Sequence, residues 1–175
     1  MSSYVIRPAT LEDLPAIEEI YNEGGVATTA SFDLEPRSWE EARAWFLAHG
    51  AVYPIFVAET AGGRVAGWAA LSPYAARKAY RYTVEDSVYV HRDFRGQGAG
   101  RALLAAVVEA AAALGYRAVV AKIADGNEAS LALHRRAGFV HVGRLVAVGR
   151  KFGRWLDVDF LELLLPERPG SQLGD

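Results

Sequence analysis

Arg95-Gly96-Gln97-Gly98-Ala99-Gly100 places three glycines within five residues, between a strand-like run and a helix-like one. Before it, Tyr82 to Val90 alternates as a β-strand, with Thr83, Glu85, Ser87 and Tyr89 on one face and Val84, Val88 and Val90 on the other. Asp86 falls among the valines. After it, Gly98 to Leu114 is rich in Ala, Leu and Val almost all round and closes on Gly115, which reads as a helix packed against a sheet. Glycine permits positive φ and close backbone approach. The first N–H groups of such a helix, at its partly positive end, suit a pyrophosphate, and Arg95 and Arg101 add charge. The same glycines would also serve a tight turn with no ligand. The spacing is neither a Walker A loop nor Gly-x-Gly-x-x-Gly; it is Arg-x-x-Gly-x-Gly.

Upstream, Tyr4 to Arg7 is a short strand stopped by Pro8, and Thr10 with Asp13 opens a helix striped by Leu14, Ile17, Ile20 and Tyr21. A polar loop, Asn22 to Pro36, leads to a second helix with Ser38 as N-cap and Glu41 three residues on. Pro54 to Glu59 and Arg64 to Leu71 form an antiparallel hairpin around Gly62-Gly63. Downstream, Ala118 to Ile123 is a buried strand, Asn127 to Ala137 a helix ended by Gly138, and Phe139 to Val148 with Trp155 to Leu165 a closing strand pair. This order predicts one mixed α/β sheet flanked by helices.

The whole chain has 175 residues, 51% hydrophobic and 23% charged, which suits one domain rather than two. A net charge of -2 leaves no global positive field to hold nucleic acid or an anionic membrane. Zero cysteines exclude a disulfide framework, a thiolate nucleophile and every Cys-based zinc or iron-sulfur site. No export signal or membrane helix is read in the chain, so a soluble, cytoplasmic protein is expected.

The glycine loop and the element order resemble the GCN5-related N-acetyltransferase (GNAT) superfamily, whose acetyl-coenzyme A loop follows Arg/Gln-x-x-Gly-x-Gly/Ala. Four further segments narrow the resemblance to the phosphinothricin and methionine sulfoximine acetyltransferase branch. They are Ala30-Ser31-Phe32, Arg77 to Glu85, Asn127 to His134 with Gly138-Phe139, and Gly149 to Asp157. The resemblance implies a GNAT fold of about seven largely antiparallel strands with four helices, over 1–165, followed by a flexible tail, 166–175.

It also implies roles. Glu85 is the expected general base, against the alternative of an exposed strand-face carboxylate. Asp86, facing the other way, is expected to act structurally or behind another residue. The backbone of Ser87, Val88, Tyr89 and Val90 would bind the pantetheine arm of acetyl-CoA, with Arg95, Gly96, Gln97, Gly98, Ala99, Gly100 and Arg101 on its diphosphate. His134 would be acid to the leaving thiolate or a cofactor contact, or a packed helix histidine. Asn127, as helix N-cap, and Ser130 would add cofactor contacts. Phe32, Tyr89 and Trp155 are candidate acceptor walls, and Arg77 and Arg81 a clamp for a carboxylate, unless the aromatics are core and the arginines solvated. His49, His91 and His141 are expected to be surface or satisfied, and no metal site is expected.

These roles add up to acetyl transfer onto the α-amine of a small zwitterion by direct attack. The rivals are acetylation of a polyamine, an aminoglycoside or a protein N-terminus, and a non-catalytic coenzyme A-binding module. The branch also implies a homodimer, for which the apolar closing strands would supply surface.

Overall fold

The computed structural model describes residues 4–167; the tail expected over 166–175 lies, beyond Glu167, outside them. Seven strands form one sheet: β1 (Val5–Pro8), β2 (Ile55–Glu59), β3 (Val65–Pro73), β4 (Thr83–Val90), β5 (Ala118–Ala124), β6 (Val140–Lys151) and β7 (Arg154–Leu164). Four helices flank it: α1 (Leu14–Tyr21), α2 (Trp39–Ala48), α3 (Ala99–Leu114) and α4 (Glu128–Arg136). The order across the sheet is β1-β2-β3-β4-β5-β7-β6.

Both predicted capping boxes form. Thr10 and Asp13 exchange hydrogen bonds ahead of α1, and Ser38 accepts from the Glu41 amide at the start of α2. Ile17 and Ile20 of α1 pack with Val57, Trp68 and Ala70 on one sheet face. On the other, Leu103, Leu104, Val107 and Ala111 of α3 pack with Leu71, Val84, Val119 and Leu131.

Every neighbouring strand pair is antiparallel except β4 and β5, which run parallel. Their register covers only Thr83–Ala118, Val84–Val119 and Glu85–Val120. β4 stays paired with β3 out to Val90, and β5 with β7 out to Ala124. The sheet therefore opens into a wedge beyond Glu85.

Three expectations need correction. Pro8 does not stop β1 but is its last residue, opposite Phe56, which an edge strand tolerates. The polar loop from Asn22 begins as a π-turn, Asn22–Val26, in which the Ala27 amide reaches back to the Asn22 carbonyl at 2.8 Å. Gly25 makes this possible: a Cβ there would come within 3.0–3.1 Å of the Tyr21 and Tyr89 rings. Third, the closing strands run further than expected, through Gly149 to Lys151 and back from Arg154. Phe152 and Gly153 both take positive φ, 51° and 76°, in the tight turn that matches strand twist.

Candidate active site

A cleft of about 1360 Å³ fills the wedge, lined by β4 on one side, β5 and α4 on the other, the start of α3 and the Thr28–Asp33 loop. It exceeds the roughly 300–1,000 Å³ of a drug-sized pocket.

One end is built for an anion. Gly98 caps α3 with φ 95° and no side-chain hydrogen bond, and the first intrahelical bond runs from the Ala102 amide to the Gly98 carbonyl. The preceding amides have no intrahelical acceptor, the arrangement that suits an anion. Arg95 bends toward the cleft, its Nε donating to the Val90 carbonyl at 3.2 Å, and Gly96, Gly98, Gly100 and Arg101 complete this wall. Gln97 and Ala99 do not line it. Gln97 turns back to the Asp93 carbonyl at 2.7 Å, and Ala99 is buried in the core.

In the middle, Val88, Tyr89 and Val90 face Asn127, Ser130 and His134 across the gap. Asn127 caps α4 by accepting from the Ser130 amide at 3.2 Å. His134 is buried and doubly engaged. Its Nδ1 lies 2.8 Å from the Ser130 carbonyl, which only accepts, so Nδ1 carries a proton. Its Nε2 lies 2.9 Å from Asp86 Oδ2, the two side chains being 5% and 1% exposed. Burial would lower the His134 pKa, but the Asp86 hydrogen bond and charge, with the Ser130 carbonyl, outweigh it and hold the ring above its ordinary value. Asp86 Oδ1 is buried without a hydrogen-bond partner among the described residues, and Asp86 forms part of the cleft wall.

At the far end Glu85 faces the cleft where the strands part. Its Oε2 lies 2.6 Å from Lys122 Nζ of β5. The loop opposite is tied down at several points. Thr29 donates to Asp125 at 2.8 Å, the Tyr21 hydroxyl meets Ser31 Oγ at 2.7 Å, and Lys151 donates to the Ser31 carbonyl at 2.7 Å. Burial, helped by the Asp33 carboxylate, pushes the Tyr21 hydroxyl up to about 12, so it stays a neutral donor. Burial also lowers the pKa of Lys151. Phe32, 40% exposed, packs against Gly149: a Cβ at 149 would come within 2.3–2.8 Å of its ring.

Three expected acceptor residues are elsewhere. Arg77 precedes a short 3-10 turn outside the cleft wall, and Arg81 packs its guanidinium 4.7 Å from the Tyr82 ring. Trp155 is 64% exposed beside Arg150, because the alternation of β7 turns it outward while Leu156 is buried. Sequence reading missed Lys122, whose signal was a lone lysine in the apolar strand Ala118–Ala124, and Lys151, whose partners lie over a hundred residues away. His49, His91 and His141 all have polar partners in the structure. Among the described residues no His, Cys, Asp and Glu group could hold a metal ion, and no helix is long and apolar enough to cross a membrane.

A model of the Acetyltransferase (GNAT) family matches residues 14–139. The chain is 46% identical over 161 residues to an L-methionine sulfoximine/L-methionine sulfone acetyltransferase of Pseudomonas paraeruginosa, covering 91% of this chain and 94% of the relative. It is 42% identical over 160 residues to a phosphinothricin N-acetyltransferase of Streptomyces coelicolor, covering 90% and 94%. Among solved structures, a phosphinothricin acetyltransferase of Sinorhizobium meliloti in complex with acetyl-CoA superposes with TM-score 0.92 at 37% identity, covering 98% of this chain and 96% of that one. With a seven-stranded sheet split beside an uncapped helix start, and these likenesses spanning nearly its whole length, the chain belongs to the GNAT family and is an acetyl-CoA-dependent N-acetyltransferase.

Proposed function

We propose that this enzyme acetylates the primary α-amine of a small amino-acid-like acceptor, of the methionine sulfoximine or phosphinothricin kind, with Glu85 taking the proton. The observation that carries this reading is the placement of Glu85, a half-buried carboxylate at the point where β4 and β5 part. The names of the relatives point to the acceptor class.

When bound, acetyl-CoA supplies an acetyl thioester and a thiolate that can leave. The start of α3, with Arg95 and Arg101, holds its diphosphate by backbone amides and charge. The β4 groups from Ser87 to Val90 that face the wedge have no β5 partner in the register, and they take the pantetheine arm much as a strand would. Asp86 Oδ1, a buried acceptor without a partner among the described residues, fits a donor on that arm. Of the two roles open to His134, the geometry favours a fixed wall against the cofactor over acid to the thiolate, since both ring nitrogens are engaged. Glu85 holds the acceptor nitrogen by hydrogen bonding and accepts its proton, directly or through one water.

Arg77 and Arg81 lie outside the cleft, and of the cations near Glu85, Arg37 pairs with Glu18 and Lys122 with Glu85 itself. We also propose a cytoplasmic homodimer. The edge strand β6 supports the second copy, exposing Val140, Val142, Leu145, Val146 and Val148, an apolar surface that soluble monomers rarely leave open.

Coenzyme A release measured with a panel of amino acids, methionine sulfoximine, phosphinothricin, polyamines and an aminoglycoside tests the acceptor. Thiol production with the amino-acid-like compounds is expected; cofactor binding with no acceptor-dependent thiol would leave only a coenzyme A sensor. Gly149→Ala tests the loop wall. The added methyl displaces the Phe32 ring, and the acceptor KM is expected to rise about tenfold, within the usual cost of overpacking, with acetyl-CoA affinity unchanged. Steady-state kinetics in both substrates checks it.

A further inference from the structure

We propose that Lys122 determines acceptor specificity: with Glu85 it forms a charge pair that an α-amino acid matches, amine on Glu85 and α-carboxylate on Lys122. The inference rests on the acceptor class proposed above.

Strand β5 is buried at every position except Lys122. Alternation puts Lys122 on the face of Val120, and Val120 is the register partner of Glu85. The last paired rung of the wedge thus brings the two side chains together, Nζ to Oε2 at 2.6 Å, with 36% and 27% of each side chain exposed. An ion pair so open to water contributes at most about 1 kcal/mol to stability, a weak structural reason for a lysine in an apolar strand. Nor do the arginines take this post, since neither Arg77 nor Arg81 lines the cleft.

An α-amino acid carries its amine and carboxylate on one carbon, so the two groups stand apart on the scale of the Glu85–Lys122 contact. When the acceptor nitrogen takes Glu85, the Lys122 ammonium is freed from that carboxylate beside the acceptor's own. Charge in the cleft stays balanced, and nitrogen and carboxylate are both fixed. A simple amine would leave Lys122 without a partner.

The pair also sets the pH at which the proton moves. The acceptor must pass from ammonium to amine before attack, with the proton going to Glu85, and a neighbouring lysine charge favours the deprotonated form of both groups. Other groups around the pair are the Tyr74 ring, 5.3 Å from Nζ; Glu162 on β7, opposite Val120; Asp33 and Arg37 in the cleft wall; and Asp86 with His134 on the opposite face of β4.

The test compares L-methionine sulfoximine with its carboxamide as acceptors, in wild type, Lys122→Ala, Lys122→Gln and Lys122→Arg, each checked for an unchanged melting profile. Lys122→Ala and Lys122→Gln are expected to raise the KM of the amino acid about tenfold and to leave that of the amide and the acetyl-CoA Kd within about twofold. The rising limb of kcat against pH moves to higher pH, and Lys122→Arg recovers most of both. Equal losses for acid and amide, or no loss for the acid, would overturn the role of Lys122 while leaving the acceptor class intact. A wild-type enzyme inert toward every amino acid would instead overturn the acceptor class, and this inference with it.

Discussion

Glu85→Gln is expected to lower kcat by about 10²- to 10⁴-fold, the usual worth of a positioned general base, and to leave acetyl-CoA affinity unchanged. Glutamine keeps the shape of the side chain and an oxygen that Lys122 can still donate to, so the wedge stays as it is. What is lost is a group able to take the proton. The anion-binding end, from Arg95 to the start of α3, shares no contact with Glu85, so cofactor titration provides the control. Wild-type turnover from the variant between about pH 6 and 9 would remove Glu85 from the proton transfer.

Asp86→Ala is expected to cost about 1–3 kcal/mol of stability, because it leaves the buried His134 Nε2 without its partner. The pH dependence carries a sharper signature. In the native enzyme the His134 pKa stands above its unfolded value of 6.5, so the group's contribution is complete below that value and is lost as pH rises through the folded one. In the variant only the Ser130 carbonyl still opposes burial, the largest influence on this ring, so its pKa falls below the ordinary value. Its contribution then reverses, and stability is lost as pH falls below the ordinary histidine range. Urea denaturation of both proteins across that range, read as a difference, checks the reversal.

Much of the fold was legible because its signals are local. Thr10 with Asp13 and Ser38 with Glu41 are partners three residues apart, and Gly115 ends α3 by its own left-handed conformation. The same holds for the anion end of the site, since Arg95 to Arg101 is one short stretch at a helix start. The acceptor end was read less well, because it is assembled from distant residues. Lys122 meets Glu85 across a strand pair, Phe32 rests on Gly149, and Lys151 holds the loop at Ser31. Alternation correctly turned Asp86 away from Glu85, but nothing local shows that it meets His134, 48 residues on. Arg77, Arg81 and Trp155 show the converse: a motif names residues without saying which way the backbone turns them.

The three-rung seam between β4 and β5 also divides the molecule along its chain. Strands β1 to β4 pair in sequence order on one side, while on the other β7 lies between β5 and β6, and α3 carries the chain across the seam. Short loops close the β2–β3, β3–β4 and β6–β7 pairs, which keeps the entropic cost of those pairings low. The gap sits at a parallel junction that no hairpin makes, so the enzyme opens room for its ligands without breaking one.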